Sequence, residues 1–331
     1  MKTYPQYASA GILVVGRTSS CSLDLAEWHD WRCSHIELLF GLDTKNVFHT
    51  SSEDSIGNCE NPSLVFVHGL ALSGSIFDDL FRDKDLLDHF YLVSFDMRGH
   101  GRSGKPEVEE GYASVRYADD FAAVAKAFHL KAPILIGWSI GGTVACDVCA
   151  HLGHDAISGI VYVAGLPYMG PAISEIGTPH ILGILPNLFS TDNVLLSQRA
   201  RIAFVDSLFN EPDAVPISLK WSSLGASTLQ SPTVCQLVLS REQDPEKLFE
   251  AGSRGLPLLV ITGSLDKLAR GDVLVDIVRP HFKDLEVYSV HGGSHTMFYD
   301  DQEHFVEALT GFASRVFQGE SDKILADLIN R

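Results

Sequence analysis

Short apolar runs recur along the chain at Leu64 to Val67, Phe90 to Phe95, Pro133 to Ile136, Ile157 to Val163, Leu256 to Ile261 and Leu285 to Val290. Runs of this length without polar alternation predict strands covered on both faces. Between several of them the period changes to that of a helix. The clearest case is Ala113 to Leu130, where Val115, Phe121, Val124 and Phe128 fall on helical spacing among charged residues. Alternating β and α units predict the α/β class: a mainly parallel central sheet with helices on both faces. Ahead of the first run, Ile36, Leu38 and Phe40 alternate and Val47-Phe48 follows a Gly41-Leu42-Asp43 turn signal, which predicts an antiparallel leading pair.

The rhythm breaks once, between the runs ending near Gly165 and starting near Leu256. Helical candidates there are Asp192 to Phe209, Ala214 to Ser222, Thr228 to Ser240 and Asp244 to Ala251, with Pro171, Gly177, Pro186 and Pro212 read as separators. Ligands of open parallel sheets bind beyond the carboxyl ends of the strands, so a helical insertion leaving from such an end is expected to roof the site as a cap. The expected organisation is an N-terminal extension (1–33), a core (34–165 and 256–317), a helical cap (166–255) and a C-terminal tail (318–331). Apolar cap residues, among them Ile181, Ile184, Leu188, Phe204, Leu208 and Trp221, are expected to supply part of a pocket wall.

Composition narrows the partners. With 331 residues, 45% hydrophobic and 20% charged, the chain has ample material for a core. Its 25 Lys and Arg stand against 42 Asp and Glu, and a net charge of -17 repels nucleic acid and anionic membrane surfaces. A small hydrophobic molecule is the expected partner. The apolar run Ala8 to Gly16 is far short of the about 20 residues that span a bilayer. Pro62 blocks the Asn61-Pro62-Ser63 glycosylation pattern, and the six cysteines are scattered, so free thiols and a cytoplasmic location are expected. Cys146-x-x-Cys149 has no second Cys/His pair in register and reads as buried helix packing, with no metal or cofactor required.

The chemistry gathers at three strand ends. Gly137-Trp138-Ser139-Ile140-Gly141 follows one apolar run and leads into a helical stretch, a G-x-S-x-G pattern in a strand-turn-helix context. So tight a turn strains the serine backbone and exposes its hydroxyl above the sheet. A serine alcohol needs a base, and the base needs an orienting acid. Asp266 lies just beyond Leu256 to Ile261, and His295 follows Leu285 to Val290 through Gly292-Gly293-Ser294, which favours it over His291. Ser139, Asp266 and His295 thus fall at one edge of the predicted sheet. Trp138, Leu70, Met297 and Phe298 flank these positions and can form an apolar wall or simply pack.

With Val67-His68-Gly69 after a strand and Asp96-Met97-Arg98-Gly99-His100-Gly101 after the next, residues 35–317 resemble the α/β-hydrolase superfamily, in its cofactor-independent esterase, haloperoxidase-like and epoxide-hydrolase-like branch. The resemblance implies a Ser139, His295, Asp266 triad and an oxyanion hole from the backbone N–H groups of Leu70 and Ile140. It casts His68, His100, Asp96 and Arg98 as turn-stabilising residues. Serine at 139, where relatives acting on epoxides carry aspartate, implies acyl transfer: hydrolysis of a small or medium hydrophobic ester or lactone through an acyl-enzyme. The same triad also serves C–C bond hydrolases, perhydrolases and slow-turnover small-molecule receptors, which stand as alternatives.

Overall fold

The computed structural model describes residues 55–329, together with Leu13–Val14 and Ile36–Glu37, which pair antiparallel. The remainder of the N-terminal extension and of the expected leading pair, Leu38 to Phe48, lies outside the described residues. Seven strands form one sheet: β1 (Ser55–Ile56), β2 (Ser63–Val67), β3 (Tyr91–Phe95), β4 (Ile134–Trp138), β5 (Gly159–Val163), β6 (Leu258–Gly263) and β7 (Leu285–Val290). The spatial order is β1-β3-β2-β4-β5-β6-β7, antiparallel only where β1 meets β3.

All six apolar runs become strands. β2 to β5 are buried along their whole length, in keeping with their predominantly apolar sequences. β7 differs. It closes the sheet, and Val287 is 46% exposed because no further strand covers that edge. Two helices, α1 (Lys84–His89) and α2 (Ser114–Ala127), lie between β2 and β4 in the chain, and α3 (Thr143–His151) follows β4. On α2 the buried face is Tyr117, Phe121 and Val124, while Val115, expected on it, points outward at 39% exposure. α3 packs on α2.

Six helices fill the interval between β5 and β6: α4 (Pro171–Ile176), α5 (Pro179–Leu188), α6 (Val194–Ser207), α7 (Ile217–Thr228), α8 (Pro232–Ser240) and α9 (Glu246–Arg254). The last four match the expected helices. α4 and α5 occupy ground that the sequence pattern assigned to separators. Pro171 and Pro179 each stand at the first turn, where the missing N–H is no loss, and Pro186 sits within the last turns of α5. Thr178 caps α5 by accepting from the Ile181 N–H. After β6 come α10 (Gly271–Val278), then α11 (Met297–Asp300) and α12 (Gln302–Ile329), which continues unbroken through the expected boundary at 317 and packs on α1. Among the described residues no helix is long and apolar enough to cross a membrane.

The topology locates the site. β3 lies on one side of β2 and β4 on the other, so the chain reverses direction across the sheet between β2 and β4. A crevice opens beyond the carboxyl ends of strands at such a switch point. Leu70 follows β2 and Ser139 follows β4.

Candidate active site

Ser139 leaves β4 with φ +55°, in the left-handed region that costs a non-glycine residue of the order of 1–3 kcal/mol. Its neighbours make that conformation possible. A Cβ on Gly137 would lie 2.3 Å from Gly142 Cα, and one on Gly141 2.3 Å from the Val67 carbonyl oxygen. The turn therefore passes backbone against backbone, and only glycine fits at either position. Beyond it, Ser139 O accepts from the Leu166 N–H at 2.8 Å and Ile140 O from Thr143 Oγ1 at 2.7 Å, which fixes the passage into α3.

Asp266 and His295 come from adjacent strand ends. A Cβ on Gly263 would meet the Gly293 and Ser294 carbonyls at 2.4 and 2.3 Å, so the loop after β7 crosses directly over the end of β6. The Asp266 carboxylate is occupied on both sides. Oδ1 accepts from the N–H groups of Leu268 (2.7 Å) and Ala269 (3.1 Å), and Oδ2 lies 2.8 Å from His295 Nδ1. Both side chains are 4% exposed, so the pair is shielded from water. With Nδ1 held by the carboxylate, Nε2 is the imidazole nitrogen left for other work. The His295 carbonyl accepts from Trp138 Nε1 at 2.8 Å, and the two rings are 5.4 Å apart. His291, the competing imidazole, is exposed.

Leu70 sits on a turn organised by His68. His68 Nδ1 donates to Gly69 O at 2.8 Å while Nε2 accepts from the Met97 N–H at 3.0 Å, a pattern that requires the neutral imidazole. Burial lowers the His68 pKa and holds that of His100 well below the ordinary value, in keeping with neutral rings. Asp96 accepts from the N–H groups of Gly74 and Arg102 at 2.8 Å each, and Arg98 pairs with buried Asp120. These four residues brace turns and none reaches the cavity. Among the described residues, the Leu70 N–H takes part in none of the backbone hydrogen bonds of this region.

Ser139, His295, Leu70 and Ile140 line one cavity of about 60 Å³. Every other wall residue is apolar or glycine. Ile173 and Ile176 come from α4, Ile181 and Leu185 from α5, and Phe204 from α6, facing Ala164, Leu166, Leu239, Leu268 and Ala269. Trp138, Met297 and Phe298, expected in the wall, are not there. Trp138 and Met297 are wholly buried behind the His295 loop, because Trp138 turns its indole N–H to the His295 carbonyl and packs edge-on against Phe298. Phe298 borders a separate cleft of about 310 Å³ with Phe209 and Tyr299. Trp221, proposed for the wall from composition, is 67% exposed on α7. The signal that marks the true wall is helical spacing: Ile173 to Ile176 and Ile181 to Leu185 each share a helix face. Reading the nearby prolines as breaks conceals it.

Among the described residues no group of three or more His, Cys, Asp or Glu side chains is placed to hold a metal ion. Cys146 and Cys149 are free thiols buried in α3, and burial pushes Cys149 up to about 12.

A strained serine at a strand-to-helix turn, sharing a cavity with a carboxylate-held histidine at the switch point of a parallel sheet, defines a class, and comparison with known proteins agrees. Residues 62–302 match the family described as the alpha/beta hydrolase fold, and the chain belongs to that family. It is 26% identical over 259 residues to the AB hydrolase superfamily protein YisY of Bacillus subtilis, covering 76% of this chain and 91% of that one. It is 24% identical over 262 residues to the pimeloyl-(acyl-carrier protein) methyl ester esterase of Vibrio cholerae, covering 77% and 96%. Among solved structures, the esterase RhEst1 from Rhodococcus sp. ECU1013 superposes with a TM-score of 0.67 at 28% identity, covering 79% of this chain and 94% of that one.

Proposed function

We propose that this protein is a serine hydrolase that cleaves a small hydrophobic carboxylic ester or lactone through an acyl-enzyme. The observation that carries the reading is the cavity itself, where Ser139 and His295 supply the polar side chains and the rest of the wall is apolar. His295 Nε2 takes the Ser139 proton, and the alkoxide attacks the acyl carbon. The Leu70 and Ile140 N–H groups hold the oxyanion, and Asp266 stabilises the imidazolium. Collapse of the tetrahedral intermediate breaks the C–O bond, and the alcohol takes the proton from His295, departing from an ester and staying tethered to the acyl chain of an opened lactone. Water, deprotonated by the same nitrogen, then releases the acid and restores Ser139.

Two features support the substrate class. No cation lines the cavity, so a free carboxylate on the acyl group would lie unpaired against hydrocarbon. At about 60 Å³ the space takes roughly five water-sized volumes, which suits a short acyl group. Helices α4 to α9 then act as a cap, with α4, α5, α6 and α8 contributing to the roof. The esterase names of two relatives agree with this chemistry. A cytoplasmic location fits the free thiols of the described cysteines.

The test is hydrolysis of p-nitrophenyl esters from acetyl to octanoyl, and of lactones, by wild type and Ser139→Ala. Short-chain esters are expected to turn over fastest, and the variant to lose about 10⁴-fold or more of the rate. Faster cleavage of a β-diketone, or acetate-dependent peroxide chemistry exceeding ester hydrolysis, would assign the site to C–C hydrolysis or perhydrolysis instead.

A further inference from the structure

The turn that follows α6 makes bonds that this chemistry does not use. Leu208 O accepts from Thr296 N at 3.2 Å and from Thr296 Oγ1 at 3.0 Å. Lys267 Nζ donates to Phe209 O at 3.2 Å and to Asn210 O at 3.1 Å. Asn210 Nδ2 donates to Gly292 O at 2.6 Å. Thr296 adjoins His295 and Lys267 adjoins Asp266. Three consecutive residues of the helical insertion therefore hold both loops whose side chains meet in the 2.8 Å bond between His295 and Asp266.

The point where this hold is most needed is Gly292. It has φ +74°, and nothing stands within 4 Å of where its Cβ would be, so no side-chain packing fixes the peptide. Its N–H donates to Ser264 Oγ at 2.8 Å, and its carbonyl receives the Asn210 amide. At its other end the turn is anchored by Leu208 and Phe209, each 1% exposed. It also continues α6, whose Phe204 lines the cavity one helical turn before Leu208.

We propose that Asn210 is a positioning residue: through the Gly292 carbonyl it seats the loop that presents His295, and the Leu208–Asn210 turn joins the packing of the cavity wall to the alignment of the base. This rests on the serine-hydrolase reading above. Loss of the amide donor leaves the Gly292 peptide held on one side only, and a sub-ångström drift of the imidazole slows proton transfer without altering the apolar wall that binds substrate.

Asn210→Asp tests the claim, since it keeps the shape and removes the donor, with Asn210→Gln as the conservative rescue and Lys267→Met as an independent loosening of the same turn. The readouts are kcat and KM for p-nitrophenyl acetate, the rate of Ser139 labelling by a fluorophosphonate, and Tm. Asn210→Asp should lower kcat and the labelling rate together by about tenfold with KM within about twofold of wild type, because misplacement at this scale acts on the reacting geometry. Asn210→Gln should recover much of that loss, and Lys267→Met should show the same pattern more weakly. Unchanged kcat and labelling in Asn210→Asp and Lys267→Met, or a loss carried by KM or by the unfolded fraction, would overturn it. If wild type cleaves no ester but is labelled at Ser139, the substrate reading fails while the labelling rates still decide the role of Asn210. If Ser139 is never labelled, there is no base to position and the inference falls with the reading.

Discussion

The Ser139 turn and the wall of the cavity above it belong to one site but depend on their residues in opposite ways. At the turn, backbone meets backbone, and an added methyl at Gly137 or Gly141 would collide at 2.3 Å with atoms that have nowhere to move. On the outer faces of the helical insertion the reverse holds: Gly183 on α5 and Gly225 on α7 have nothing within 4 Å of a would-be Cβ, although Gly177, between α4 and α5, is as confined as the turn, 2.6 Å from the Ile173 carbonyl oxygen. Most wall residues carry aliphatic side chains, and apolar side chains of similar volume replace one another at modest cost. Under the proposed function, reaction type would rest on the rigid turn and substrate choice on the more permissive side chains of the wall.

That contrast can be broken most severely at Gly141→Ala. The collision with Val67 O should displace the turn and lower ester hydrolysis by at least about 100-fold, with a clear fall in Tm. Near wild-type kinetics would show that the turn has slack. Next in size is the join between the two regions. Arg241 and Gln243, in the loop between α8 and α9, reach buried Asp147 on α3 at 2.7 and 2.5 Å, and the same glutamine accepts from the Met169 N–H ahead of α4. Asp147→Ala strands the Arg241 guanidinium, 5% exposed, and should cost about 3–5 kcal/mol in chemical denaturation.

Leu185→Ala sharpens the comparison from the permissive side. Removing that side chain from the wall should move the preferred acyl chain longer, raising the octanoyl-to-acetyl ratio of kcat/KM by about tenfold while the labelling rate of Ser139 holds. A fall in both would mean that the wall also governs the chemistry. The smallest effect is expected at Gly183→Ala, an exposed helix position free of contacts, which should raise stability by about 0.5–1 kcal/mol and leave kinetics unchanged.

The same division explains what could be read from the sequence. Strands β2 to β6 are mainly apolar because sheet interiors demand it, and the glycine spacing around Ser139 follows from backbone collisions that only glycine avoids. Position relative to strand ends brought Ser139 and His295 to one cavity and Asp266 to His295 Nδ1. The wall was not legible. Trp138 and Met297 adjoin or nearly adjoin the site in sequence, yet neighbouring residues of an extended strand point to opposite sides and a turn reorients the rest, so proximity along the chain misled. Ile173, Leu185 and Leu239 on separate helices and Leu268 in the loop after β6 meet only through tertiary packing, and helical spacing marks the apolar faces of α4 and α5 without recording that they look into a void. The two-residue strand Ser55–Ile56 is too short to carry a period at all.

The most direct measurement is mass spectrometry of peptides after rapid acid quench of wild type with excess p-nitrophenyl acetate. The account predicts an acetyl adduct on Ser139 that forms within the first turnover, decays as acetate appears, and is missing in Ser139→Ala and strongly slowed in His295→Ala. An adduct on another residue, or steady hydrolysis by Ser139→Ala at the wild-type rate, would contradict it.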